Sequence, residues 1–255
     1  NYGQYTRYGH YWDEDDDFEI HMEDSLKAGN RKNNKKMLEI MVSEGPKNIQ
    51  NLIDYGVDFD KNERGYDLTL EGGHTKRRIL HYKDTTGKRV IEVLAQNAFK
   101  KNNIEINERT MAVDITKCRN GFLTTALDEN EEPMYIESDF TVIASGGIGR
   151  LYKYTTNASI ASGDGITLAS KAGAKLKHMD LIQFHPTGLY ENSGDRFLIS
   201  ESVRGEGGIL RNSKKEPFMH LYHEMADLAP RDVVSKSMLN EMKNDNSNYL
   251  YLDIT

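Results

Sequence analysis

Apolar residues recur three and four apart over residues 21–29 and again over 35–55. In the second stretch Met37, Leu38, Met41, Ile49, Leu52 and Ile53 suit one buried helix face. Pro46 sits inside that pattern and is expected to kink or divide it, with Gly56 as a C-terminal stop. Residues 60–86 are polar and glycine-containing, and helical spacing returns at 89–101. The period then changes. Runs at 104–106, 111–116, 122–127 and 134–136 read as strands, the middle ones close enough to form an antiparallel meander. Residues 140–144 are continuously apolar, like a strand buried in a parallel sheet, and lead into Ser145-Gly146-Gly147. Short helices are expected at 166–172 and 230–242. The plan is α/β with α+β elements.

Composition narrows the classes. The 255 residues include 40 acidic and 33 basic side chains, a net charge of −7 that argues against nucleic-acid affinity. No run approaches the roughly 20 apolar residues of a membrane span. One cysteine, Cys118, excludes a disulfide scaffold and reads as an inert buried thiol, and no Cys/His spacing suits a metal. A cytoplasmic protein of a reducing compartment is expected. The acidic run Asp13, Glu14, Asp15, Asp16, Asp17 reads as a solvated loop. The chain opens on Asn1 without a signal-type segment and closes on strand-like alternation at 249–254, so both ends read as cut.

Individual segments admit two readings each. Gly146 and Gly147 would let backbone approach a ligand, or simply turn the chain. Asp164 would cap a helix or accept hydrogen bonds from a ligand. His185 precedes Pro186, which favours extended backbone, and is either structural or catalytic. Glu201 and Arg204 stand three apart, neighbours on one helix face and at least a local ion pair. Arg231 follows Pro230 at a helix start, where the dipole disfavours a cation.

Taken in order, Ile143-Ala144-Ser145-Gly146-Gly147, Tyr154-Thr155-Thr156-Asn157, Ser162-Gly163-Asp164-Gly165, Gln183-Phe184-His185-Pro186-Thr187, Glu201-Ser202-Val203-Arg204-Gly205-Glu206-Gly207 and Leu228-Ala229-Pro230-Arg231-Asp232 resemble the flavoprotein superfamily of succinate dehydrogenase, fumarate reductase and L-aspartate oxidase. Within it, Glu71-Gly72-Gly73-His74 followed by Arg77-Arg78-Ile79-Leu80-His81 is similar to the aspartate oxidase branch, where the dehydrogenases and reductases generally carry glutamine. A buried ammonium needs a carboxylate to offset its desolvation, which makes Glu71 the specificity residue.

The resemblance implies that His185 and Ser200 bind the substrate carboxylates; the superfamily usually has threonine where Ser200 stands. It assigns Arg231 to proton transfer, although a guanidinium of pKa above about 12 is first a carboxylate clamp. It also makes Glu201 and Arg204 a proton-relay pair. FAD is the implied cofactor, its adenine near the backbone of Met111 and Ala112 and its ADP portion along Gly146, Gly147 and Asp164. The implied reaction moves hydride from C2 of L-aspartate to the flavin and leaves iminoaspartate. Oxygen or fumarate would accept the electrons, and quinolinate synthase would act downstream in NAD biosynthesis.

Residues 1–179 are expected to form part of an FAD-binding Rossmann-like domain with the meander, and 180–255 part of a capping domain. No Gly-x-Gly-x-x-Gly turn follows a strand, and residues 1–12 do not reproduce the superfamily's Ala-Gln-Gly-Gly-Ile loop, so an internal fragment, inactive alone, is expected. Two alternatives stand. One is a fumarate reductase or succinate dehydrogenase flavoprotein subunit with an iron–sulfur partner, for which His10 would be a coincidental candidate for flavin attachment. The other is a non-catalytic remnant of the fold.

Overall fold

The computed structural model describes residues 15–63, 65–70, 73–191 and 195–255. In chain order it has helices α1 (Phe18–Ala28) and α2 (Lys35–Asp54), then short strands β1 (Lys61–Asn62), β2 (Gly65–Tyr66), β3 (Leu68–Thr69) and β4 (Ile79–Leu80). Next come α3 (Thr86–Phe99), β5 (Met111–Cys118), β6 (Gly121–Leu127), β7 (Pro133–Ser138) and α4 (Asp164–Lys171). The chain continues through α5 (Ser202–Gly205), β8 (Ile209–Arg211), α6 (Arg231–Asn244) and β9 (Tyr251–Asp253). Packing divides it into two units. The first joins the residues up to Ile104 with Phe184–Thr187 and Ile199–Thr255; the second comprises Glu105–Gln183 and Gly188–Leu198.

In the first unit, Asp17 caps α1 by accepting the Ile20 N–H at 2.7 Å. Helix α2 starts under Asn34, whose side chain accepts the Met37 N–H at 3.2 Å. It stops at Gly56 as the sequence predicts. Gly56 takes φ +100°, its N–H reaches the Ile53 carbonyl at 2.8 Å, and the Val57 N–H reaches that of Leu52 at 3.0 Å. Helix α2 nonetheless runs undivided through Pro46. Leu38, Val42 and Pro46, four apart, form its buried stripe, so the proline ring packs inward rather than ending the helix. Met37 and Met41, expected on that face, are exposed.

Two apolar clusters hold this unit. Val57, Phe59 and Val93 bury against Ile49, Leu52 and Ile53 at the end of α2. Leu210, Phe218, Met219, Ala229 and Val234 tie β8 to α6, and β8 pairs antiparallel with β9, Leu210 opposite Leu252. The buried stripe of α6 is Val234, Ser237 and Glu241. Its polar members are bonded: Ser237 Oγ donates to the Val233 carbonyl at 2.9 Å, and Glu241 accepts from Tyr222 Oη at 2.6 Å.

The second unit contains the expected meander, β5–β6–β7, antiparallel throughout. A register shift between Ala112 and Asp114 bulges β5. Two expected strands are missing: residues 104–106 and 140–144 pair with no described strand. A strand exists only against a hydrogen-bonded neighbour, and 140–144 has none among the described residues. Phe140 and Val142 are accordingly 86% and 87% exposed. Cys118 ends β5 exposed, not buried as its strand context suggested. Among the described residues no helix is long and apolar enough to cross a membrane.

Candidate active site

Within the first unit a single carboxylate organises the predicted charged residues. Glu201 precedes the one-turn helix α5, which places Arg204 on the same face. Glu201 Oε1 accepts from Arg204 Nη2 at 2.9 Å, while Oε2 accepts from Arg231 Nε at 2.7 Å and Nη2 at 2.5 Å. Only 5% of the Glu201 side chain is exposed, against 34% for Arg231. Burial works against the Glu201 charge, but the Arg231 hydrogen bond and the positive charges of Arg231 and Arg204 outweigh it and hold the carboxyl below its usual range. Arg204 also donates through Nη1 to the Asp227 carbonyl at 2.5 Å, and the Asp227 carboxylate accepts the Leu210 N–H at 2.8 Å. The dipole conflict at Arg231 is thus resolved by a carboxylate beside the helix start.

His185 is held in the same unit. Ser235 Oγ on α6 donates to the carbonyl of the preceding Phe184 at 3.2 Å. Thr187 donates its N–H to His185 Nδ1 at 3.2 Å and its hydroxyl to the Ile199 carbonyl at 3.0 Å. With Nδ1 accepting, the network assigns the imidazole hydrogen to Nε2, which leaves a donor for a carboxylate. Burial, then the Arg231 charge, pushes the His185 pKa down, so the ring is neutral at neutral pH. Ser200 is exposed, and its hydroxyl pairs with Ser202 Oγ at 2.7 Å.

Glu71 and Gly72 lie outside the described residues. Their flanks are described. A Cβ at Gly205 would stand 2.9 Å from the Leu70 carbonyl oxygen, so the strand leading into Glu71 lies directly against the turn that carries Glu201 and Arg204. On the other side, Thr75 donates its N–H to Asp24 Oδ2 at 2.9 Å, and its hydroxyl lies 2.9 and 3.0 Å from the two Asp24 oxygens. Arg78 grips Asp16 through Nε and Nη2 at 2.8 and 2.7 Å, and Asp24 through Nη1 at 2.8 Å. Asp16 is therefore buried rather than part of a solvated acidic loop. His74 stacks edge-on to His21 with ring centroids 5.7 Å apart, and both pKa values are lowered by burial first and by Arg78 next. His74 Nδ1 is buried without a hydrogen-bond partner.

The second unit holds the residues expected to bind cofactor. Met111 and Ala112 pair with Leu127 and Ala126 at the bulged start of β5, and Met111 is exposed. Gly146 takes φ +77°, and nothing lies within 4 Å of a Cβ built at Gly146 or Gly147. Helix α4 starts at Gly163, φ +85°, with no side chain capping it. Asp164 is the first residue inside that helix rather than its cap, and accepts from Ser162 Oγ at 2.5 Å. Gly165 is buried where a Cβ would meet Ser145 and Ile143. Open space along a glycine turn, and an uncapped helix start packed beneath the same segment, fit the ADP portion of a dinucleotide. Among the described residues no cluster of His, Cys, Asp or Glu could hold a metal ion.

Thr187, Asp227, Asp24 and Thr75 were not singled out from the sequence. Thr187 stood inside a quoted motif. The others act through backbone atoms or across long separations, which leave no local pattern.

The open glycine turn of the second unit is compatible with a nucleotide-binding α/β protein. Residues 6–255 match the family model for the FAD binding domain, and the chain belongs to that family, with FAD as its cofactor. It is 42% identical to an L-aspartate oxidase of Neisseria meningitidis serogroup B over 96% of this chain and 49% of that protein. It is 40% identical to the Clostridium perfringens L-aspartate oxidase over 94% of this chain and 54% of that one. For the Nicotiana tabacum L-aspartate oxidase 2-b, chloroplastic, the figures are 39% identity, 94% and 39%. The chain thus spans about two fifths to half the length of these relatives. Among solved structures it superimposes on a mutant of E. coli quinol fumarate reductase FrdA with TM-score 0.87 and 27% identity, covering 94% of this chain and 44% of that one. On Mycobacterium smegmatis Sdh1 the TM-score is 0.73 with 31% identity, over 94% and 43%.

Proposed function

We propose that the full-length protein uses FAD to oxidise L-aspartate to iminoaspartate, the first step toward quinolinate in bacterial NAD biosynthesis. The observation that carries this reading is the buried Glu201 carboxylate, shared by Arg204 and Arg231 in the unit that also holds His185 and the strand leading into Glu71. The aspartate oxidases among the relatives support the choice of substrate. FAD, when bound, supplies the hydride acceptor.

The protein's own groups bind and orient. Arg231, fixed by Glu201, clamps one substrate carboxylate and stabilises charge developing near it. His185 Nε2–H and the Ser200 hydroxyl hold the other. Glu71 accepts from the substrate ammonium. Glu201 and Arg204 form the relay behind Arg231. Met111, Ala112, Gly146, Gly147 and Asp164 contact the cofactor. In this reading 1–179 serve cofactor binding and 180–255 capping, a functional division distinct from the two packing units. A cytoplasmic setting, oxygen or fumarate as acceptor and quinolinate synthase as the next enzyme belong to the same proposal.

The test is the complete coding sequence, expressed and purified. A yellow protein bleached by L-aspartate and not by succinate is expected. Bleaching by succinate alone would favour the fumarate reductase or succinate dehydrogenase reading, which the match to those structures supports. Glu71→Gln is expected to lower kcat/KM for L-aspartate about 10- to 100-fold, the worth of a lost charged hydrogen bond, and to leave fumarate reduction nearly unchanged. Equal losses would give Glu71 another task.

A further inference from the structure

Two serines on α6 use their hydroxyls differently. Ser237 Oγ donates to the Val233 carbonyl of its own helix, the local bond expected of a helical serine. Ser235, one turn after Arg231, instead reaches off the helix and donates to the Phe184 carbonyl at 3.2 Å. Phe184 begins the short segment Phe184–Thr187, which packs in the first unit although the residues on either side of it, up to Gln183 and from Gly188, belong to the second. The far end of that segment is held by two bonds. The Ile199 N–H donates to the Thr187 carbonyl, and the Thr187 hydroxyl to the Ile199 carbonyl, both at 3.0 Å. Ser235 ties the near end, immediately before His185. The Arg231 charge acts on His185, so the two groups lie within electrostatic reach of one another. One turn of α6 thus carries the clamp for one carboxylate and the anchor of the segment that presents the donor for the other.

We propose that Ser235 is a positioning residue that fixes the span between the Arg231 guanidinium and the His185 ring, and through that span the preference for dicarboxylates of four carbons over longer ones. This rests on the reading of Arg231 and His185 as carboxylate-binding groups, and it holds whether or not the substrate carries an ammonium. Ser235 touches no reacting atom; its hydroxyl acts through the main chain of Phe184. Without that hydroxyl the segment loses its link to the helix that bears Arg231, and His185 no longer meets a short diacid at a set distance. A two-point grip selects chain length only when its two points are rigidly spaced.

The experiment uses the full-length, FAD-loaded protein in its oxidised form and reads Kd by calorimetry for fumarate, with four carbons, and glutarate, with five. Ser235→Ala removes only the hydroxyl. Alanine is the better helix former, so thermal midpoint and flavin content are expected to hold. The fumarate Kd is expected to rise about tenfold, the scale of one misaligned hydrogen-bonded contact, while the glutarate Kd moves less than about twofold. Ser235→Thr, which keeps the hydroxyl, is expected to retain the wild-type ratio of the two. An unchanged ratio in Ser235→Ala, equal weakening of both diacids, or loss of flavin would overturn the inference and leave the proposed function standing. A wild-type holoenzyme that binds neither diacid would overturn both.

Discussion

The two units solve opposite problems. In the first, charge is buried and paired: Glu201 with Arg204 and Arg231, and Arg78 with Asp16 and Asp24. In the second, the candidate cofactor residues are glycines and backbone, with open space at Gly146 and Gly147 and tight packing at Gly165. On the proposed reading, the first unit recognises a small dicarboxylate, which calls for side chains of opposite charge. A long cofactor can be held by main chain wherever side chains are absent. Mutational damage should therefore be electrostatic in the first unit and steric in the second.

The largest effect is expected at Arg204. Arg204→Leu removes a buried partner of Glu201 and abandons the Asp227 carbonyl, and denaturant unfolding of the full-length protein should show a loss of about 3–5 kcal/mol. A loss below about 1 kcal/mol would mean that Arg231 alone satisfies Glu201. A smaller effect is expected at Gly165→Ala, whose Cβ would stand 1.9 Å from Ser145 Oγ and 2.8 Å from Ile143 Cγ2. Overpacking of this kind costs about 1–3 kcal/mol and should be indifferent to salt. Retention of FAD through gel filtration should fall in this variant and stay normal in Arg204→Leu; the reverse pattern would break the comparison.

The smallest expected effect is a pH dependence belonging to the first unit. His21, His74 and His185 all have pKa values lowered in the folded protein. The unfolded chain then binds more protons between the ordinary value of about 6.5 and the lowered folded values, so stability falls as pH drops through that window. Glu201 and Asp24, also lowered, contribute stability above the ordinary carboxylate range that disappears on further acidification. Thermal midpoints measured from pH 7.5 downward should decline before the carboxylates titrate, and His74→Gln should flatten the first part of that decline.

Local signals were legible in the sequence and distant ones were not. The helices and the meander follow from spacing within a dozen residues, and Gly56 stops α2 by its own φ. Glu201 and Arg204 were visible because three residues is a helical neighbour distance, and Arg231 because a cation opposes a helix start. Asp16 was misjudged because its partner Arg78 is 62 residues away. On α2, Leu38, Ile49, Leu52 and Ile53 do pack inward, and only Met37 and Met41 were misjudged, because methionines share the apolar pattern although the stripe through Val42 and Pro46 is what is buried there. Residues 140–144 have the composition of a central strand, but composition does not supply the neighbour that makes one.

Those same five residues bear on how the polypeptide behaves in a test tube. Phe140 and Val142 stand in water on backbone that no described strand covers, and bare, aromatic, β-prone segments recruit copies of themselves. Turbidity at high protein concentration is the expected outcome, and Val142→Lys, which puts a charge on the bare segment, should reduce it.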